Sequence, residues 1–226
     1  MRVFFSKLDI EIEIGEGECC GLLIEKNSEY RNIVRKLWEQ STESSEDITF
    51  SMNQNLLKIG KEVEIIINPF DLDINNKKIL NKVYGEITKV VTEELNQDFA
   101  EINQRIIALL DHVTDRLSYS LDYALEPEIT QLLKCYSVSV DDYCENLTER
   151  LITYIQFSSM ILGTKVFVFV QCLNYLSSEE VDYIKECIAY THSTALFLEC
   201  MYDCFPKTFG KCVIYDRDKC VIHIEI

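Results

Sequence analysis

The sequence predicts an α/β protein whose mostly parallel sheet is interrupted by a long inserted α-helical arm. Three observations carry this. Val166–Val170 and Ala195–Leu198 are unbroken runs of β-branched, aromatic and aliphatic residues, and strands without a polar face are buried on both sides, as in parallel sheets. Glu179 to Tyr190, between them, has helical period, so this stretch reads as strand, crossover helix, parallel strand. From about Ile74 to Leu133 the helical period is almost continuous, with no strand pattern beside it.

The remaining elements follow in chain order. Val3–Phe5 and Ile10–Ile14 read as two short strands. In the second, isoleucines alternate with Glu11 and Glu13, which fits an antiparallel hairpin at a sheet margin. Cys19–Ile24 is a further strand, opened by Gly15-Glu16-Gly17. Asn27 or Ser28 caps a helix to about Gln40, with Tyr30, Ile33, Val34, Leu37 and Trp38 on its apolar side. Ser41–Asp47 is polar and reads as a loop. Ile48–Met52 and Glu62–Ile67 are strands, with Lys58 and Lys61 in the turn between them.

Within the arm, Ile79, Val83, Ile87, Val90 and Val91 belong to one helical stripe and Phe99, Ile102, Ile106, Leu109 and Val113 to a second. Pro127 ends or kinks the pattern, and Glu128–Cys135 restarts it. Val138–Val140 reads as a short strand, and Asp142 to about Leu162 as helix. Ser177 and Glu180 have the spacing of a capping box, which sets the start of the crossover helix. Met201–Gly210 is loop-like, and Lys211–Tyr215 and Val221–Ile224 are the last strands. The sheet-forming segments are therefore the two ends of the chain, 1–69 and 163–226, with a helical domain over 70–162 between them.

Composition narrows the function classes. With 47% hydrophobic residues the chain can bury a sizeable core. Its longest apolar runs are far too short to span a bilayer. The first residues turn polar after Phe5, which predicts no export signal and a cytoplasmic protein. Ten cysteines show no Cys-x-x-Cys pair and read as reduced small hydrophobes, with Cys200, Cys204 and His223 a weak metal alternative. A net charge of −16 by itself disfavours nucleic acid. The acidity is uneven, however. Val91–Glu149 is densely acidic and opposed only by Arg105, Arg116 and Lys134, whereas Lys58–Lys89 is nearly balanced.

Candidate chemistry is sparse. A phosphate loop needs Gly-x-x-x-x-Gly-Lys-Ser/Thr after a strand, but the loop after Cys19–Ile24 is Glu25-Lys26-Asn27-Ser28, without glycine. Glu199, and the pair Asp71 and Asp73, end or follow buried strands, where ligands meet open α/β sheets. They define the alternative reading, a divergent NTPase or nuclease. Asp122, Glu126 and Glu128 form an oxygen-rich set suited to Ca²⁺, or else a solvated acidic face. Asp122 and Glu126 would share a helical face if the helix persists that far. Arg31, Arg35, Lys36, Lys58, Lys61, Lys77, Lys78 and Lys82 suit sequence-independent contact with duplex phosphates, or ordinary solubility.

Several stretches, in order and spacing, resemble one family. They are Met1-Arg2-Val3-x-Phe5-Ser6-x-Leu8-Asp9, then Glu64–Asn68 followed by Phe70-Asp71-Leu72-Asp73-Ile74-Asn75, then Leu121-Asp122 through Glu126-Pro127-Glu128-Ile129-Thr130. The match continues in Val168-Phe169-Val170, in Leu173-Asn174-Tyr175-Leu176-Ser177-x-Glu179-Glu180, and in Ala195–Glu199. The chain thereby resembles the ring-forming adaptation proteins of subtype II-A CRISPR systems. Phe4 stands where that family has a polar Asn, and the acidic turn is about one residue longer.

The resemblance implies an NTPase-like α/β head that has lost its phosphate loop, a helical leg, and no hydrolysis. It implies a homotetrameric ring holding double-stranded DNA ends during spacer acquisition. The implied partners are the CRISPR integrase proteins and the RNA-guided nuclease, with no membrane. Asp122, Glu126 and Glu128 match its calcium-binding turn. Lys58 and Lys61 fall in its basic turn, with Arg31, Arg35, Lys36, Lys77, Lys78 and Lys82 as further DNA-contact candidates.

Overall fold

The computed structural model describes residues 1–40, 47–200 and 209–225. The loops expected over 41–46 and 201–208, and Cys204, lie outside the described residues. The chain forms two compact units: Met1–Ile74 with Asp142–Ile226, and Asn75–Asp141.

Among its described residues the first unit contains ten strands in two sheets. β1 (Arg2–Phe5), β2 (Ile10–Glu13), β4 (Ile48–Met52) and β5 (Asn55–Leu57) make an antiparallel sheet in the order β2-β1-β4-β5. β3 (Cys19–Ile24), β6 (Val63–Ile66), β7 (Val166–Val170), β8 (Thr194–Glu199), β9 (Lys211–Tyr215) and β10 (Val221–Glu225) make the second, in the order β10-β9-β3-β8-β7-β6. All neighbours in this sheet are parallel except β9 and β10. The fold class is α/β with a mostly parallel sheet, and the unbroken apolar runs are its centre. Every residue of β7 and β8 is buried, with Val166 opposite Thr194 and Val170 opposite Leu198.

The two sheets share one core. Val3, Phe5, Ile10, Ile12, Ile48 and Phe50 point inward from the antiparallel sheet and pack with Cys20, Leu22, Val166, Val168 and Leu196 of the parallel one. Alternation along each strand sends Phe167, Phe169 and Phe197 the other way. The Phe169 and Phe197 rings stack at 4.7 Å. The expected N-terminal hairpin is present, but it belongs to this separate sheet. β5 is an addition to the expected elements. Asn53 and Gln54 both take positive φ (50° and 65°) and turn β4 tightly back into it.

Helix α1 (Asn27–Gln40) buries Tyr30, Ile33 and Leu37, while Trp38, expected on the same stripe, is 59% exposed. Helix α6 (Ser178–Tyr190) starts in the expected capping box. Ser177 Oγ accepts the Glu180 N–H at 3.3 Å and Glu180 accepts the Ser177 N–H at 2.7 Å. Helix α5 (Leu147–Phe157), followed by a π-helical turn at Ser158–Leu162, belongs to this unit rather than to the helical arm. Thr148 donates to Glu180 at 2.7 Å and Tyr154 donates to Glu64 at 3.1 Å, tying α5 to α6 and β6. The expected boundaries at 69 and 163 thus differ from the structural division chiefly by the stretch 142–162.

The second unit is helical. Asn76 caps α2 (Lys77–Glu94), its side chain accepting the N–H groups of Lys78 and Ile79. α3 (Asn96–Thr114) follows after Leu95, and α4 is Ile129–Cys135. Helix does not persist through 115–128. Val138–Val140 is not a strand. It is held by side chains instead, with Tyr84 Oη donating to the Val138 carbonyl at 2.7 Å and the Asn75 amide bonding both the N–H and C=O of Val140.

Candidate nucleic-acid interface

The basic candidates divide between the two units. Lys58 and Lys61 stand on a tight turn between β5 and β6. The Glu62 N–H donates to the Lys58 carbonyl at 2.8 Å, and Gly60, at φ 77°, donates to the Val63 carbonyl at 2.8 Å. A positive φ there favours glycine and narrows the turn. Both lysines are exposed, and among the described residues neither forms an ion pair. The nearest carboxylate, Glu62, is engaged by Lys165 at 2.8 Å, and that contact, with the Lys58 amide, holds it below the usual carboxylate range.

On α1, Arg31 and Arg35 are exposed one turn apart, with Arg35 paired to Glu39 at 3.6 Å. Lys36 differs. It is only 5% exposed and its ammonium meets Asp47 at 2.5 Å, so it is committed inside the sheet unit. Its field reaches Lys7, whose ammonium it holds below the usual lysine range, with Arg35 adding to the effect. Lys7 and Lys165 are exposed cations that sequence reasoning did not single out. Both are distant in sequence from the residues beside which folding places them. Lys77, Lys78 and Lys82 are exposed on the first turns of α2, in the helical unit.

The acidic candidates do not converge. Asp122 and Glu126 lie on the non-helical stretch before α4, so they share no helical face. Glu128 precedes α4 and accepts from Thr130 Oγ1 at 3.4 Å. Neighbouring Tyr123 donates instead to Asp111, and Asn103 donates to the Leu125 carbonyl at 2.6 Å. Among the described residues no group of three His, Cys, Asp or Glu side chains is placed to hold a metal ion.

The residues of the alternative hydrolytic reading are also separated. Glu199 is 1% exposed, and burial pushes its carboxyl up to about 7, opposed by the Leu173 N–H that it accepts at 3.1 Å. Asp71 and Asp73 line a different feature, a 300 Å³ cleft with Arg150 and Asp142 that Glu199 does not reach. At the phosphate-loop position, only Glu25 and Lys26 separate β3 from α1, and Lys26 faces Glu29 at 4.0 Å. Two residues cannot wrap a phosphate.

Comparison with known proteins decides the family. Residues 40–218 match the family model described as CRISPR-associated protein (Cas_Csn2). The chain belongs to the Csn2 family. It is 24% identical over 205 residues to the CRISPR-associated protein Csn2 of Enterococcus faecalis, covering 88% of this chain and 90% of that protein. It is 23% identical over 184 residues to the Csn2 of Streptococcus agalactiae, covering 79% and 80%. The crystal structure of Stu0660 of Streptococcus thermophilus matches in fold with a TM-score of 0.60 at 15% identity, covering 99% of this chain and 76% of that one. The role of this Csn2-family chain is therefore CRISPR-associated. No helix among its described residues is long and apolar enough to cross a membrane.

Proposed function

We propose that this chain binds the ends of double-stranded DNA, without hydrolysing nucleotide or nucleic acid, as a ring-shaped homotetramer during CRISPR spacer acquisition in antiviral defence. The observation that carries the reading is the Lys58–Lys61 turn, where two exposed ammonium groups without an ion-pair partner among the described residues stand on a hydrogen-bonded turn in a Csn2-family chain. Lysines so placed neutralise phosphates without reading bases. Arg31 and Arg35 on α1, and Lys77, Lys78 and Lys82 on α2, extend the basic surface of their own units.

Assembly is supported by α3. No residue of this helix is buried, and Ile102 and Leu109 are 52% and 62% exposed. An apolar stripe of that kind is covered when copies associate. The absence of chemistry is supported by the two-residue link at the phosphate-loop position and by the burial of Glu199. The CRISPR integrase proteins and the RNA-guided nuclease are the proposed partners, in the cytoplasm. Calcium is proposed to draw Asp122, Glu126 and Glu128 together, raising the melting temperature of metal-free protein, an effect that Glu128→Ala weakens.

The deciding experiment compares linear and closed-circular duplexes of equal length at graded salt, with oligomer mass measured in parallel. The expected result is salt-sensitive binding to the linear form, weak binding to circles, and a tetramer. Equal affinity for both forms together with a monomeric mass would sink the reading.

A further inference from the structure

The six-stranded sheet ends on a strand that its own unit leaves open. β10 pairs with β9 and, among the described residues, is the outermost strand on that side. An antiparallel strand at a sheet margin normally buries one of its two faces. In β10 neither face is buried. Val221 is 37% and Ile222 44% exposed, His223 and Glu225 are exposed, and Ile224 is half-buried. Val221 and His223 stand on one face, Ile222 and Ile224 on the other.

The ladder fixes which backbone groups point away from β9. The Asp216 N–H donates to the Cys220 carbonyl at 3.1 Å, closing the turn into β10. Bonded and non-bonded pairs alternate from there along an antiparallel ladder. Ile222, opposite Ile214, and Ile224, opposite Cys212, therefore turn their N–H and C=O groups toward β9. Those of Val221, His223 and Glu225 turn outward. Native edges are commonly blunted by proline, lysine or a bulge. β10 has neither residue and an unbroken register, and its one charge, Glu225, faces Lys211 of β9 at 3.9 Å.

The strand is self-complementary. A two-fold axis sets a strand antiparallel to its own copy. An axis at His223 would oppose the two imidazoles and place Glu225 against Val221. An axis at Ile222 opposes the two Ile222 side chains, places Val221 against His223, and places Glu225 against Lys219, an exposed cation on the turn before β10. Charge complementarity selects the second register. We propose that β10 joins two copies of this chain edge to edge about Ile222, so that two six-stranded sheets continue as one. The inference rests on the assembly reading above and deepens it. A tetramer built on two-fold contacts needs two kinds of interface, and β10 supplies one beside that of α3.

A cross-link tests the register. In a non-hydrogen-bonded antiparallel pair the Cα atoms stand about 4.5 Å apart, within the roughly 4.4–6.8 Å that a disulfide spans. Ile222→Cys, in a Cys220→Ser background, should give a covalent dimer on mild oxidation, with the 222–222 link found by peptide mass spectrometry. Ile224→Cys in the same background should give no 224–224 link, because the axis sets those positions far apart. His223→Pro removes one outward N–H and spares the bonds to β9, and it should lower the oligomer mass in sedimentation. Should that variant fail to fold, the cross-link still decides. An oligomeric chain without the 222–222 link overturns this inference and leaves the assembly reading standing. A chain that is monomeric at every concentration overturns both.

Discussion

The sheet unit and the helical unit solve the burial problem in opposite ways. In the sheet unit β7 and β8 are buried residue for residue, and two sheets close on one core. In the helical unit α2 buries only Ile79 and Tyr84, and α3 buries nothing. Both have comparable apolar patterning in sequence. The difference is that sheet residues find partners within the chain, whereas much of the α3 stripe finds none there. The first unit buries its apolar residues within itself, and the second leaves apolar residues of α3 exposed.

That contrast is most easily broken by truncating one residue from each unit. Phe197→Ala removes a ring stacked between Phe169 and Phe209 and should cost about 3–5 kcal/mol in denaturant unfolding. Leu109→Ala should cost the isolated chain less than about 0.5 kcal/mol yet lower the oligomer mass in sedimentation. A large stability loss from Leu109→Ala would show that α3 is covered within its own chain.

The next largest effect concerns Glu199. Its folded value of about 7 lies above the ordinary 4.5, so between those limits the folded state holds a proton that the unfolded state has lost. Stability therefore falls as pH rises through that window, and the full penalty stands above about pH 7. Glu199→Gln removes the penalty and should stabilise the chain above pH 7 by about 1.4 kcal/mol per unit of the gap, with little effect below pH 4.5. Thermal melts of both proteins across pH check this. A variant less stable at pH 8 than at pH 5, as the wild type should be, would remove the buried charge as the cause.

Smaller effects separate surface from scaffold. Lys58→Ala and Lys61→Ala should each lower the slope of log affinity against log salt by about 1, with unchanged melting temperature. Lys36→Ala should do the reverse, lowering stability by removing the buried Lys36–Asp47 pair while leaving the salt slope alone. Ser177→Ala removes one half of the capping box and should cost about 1 kcal/mol, read by urea denaturation.

Much of the sheet unit was legible because its signals are local. Val166–Val170 and Ala195–Leu198 lack a polar face, and Ser177 with Glu180 marks a helix start within four residues. The Lys58–Lys61 turn and the lack of glycine between β3 and α1 were equally readable. What escaped depended on distant pairing. β5 has a weak pattern and exists because Asn53 and Gln54 turn it onto β4. Arg31, Arg35 and Lys36 look alike in sequence, yet Lys36 is drawn inward by Asp47. Asp122 and Glu126 are spaced as if on one helical face, but the backbone there is irregular.

The sequence by itself determined which segments are strand or helix, because hydrophobic period and capping act over a few residues. It also determined the family, through the order of short stretches along the chain. Only the tertiary structure decided that the N-terminal hairpin builds a second sheet, that α5 belongs with α6 and β6, and that Glu199 ends inside the core accepting the Leu173 amide. Those outcomes depend on which surfaces meet, and residues far apart in the chain meet only when the whole core closes.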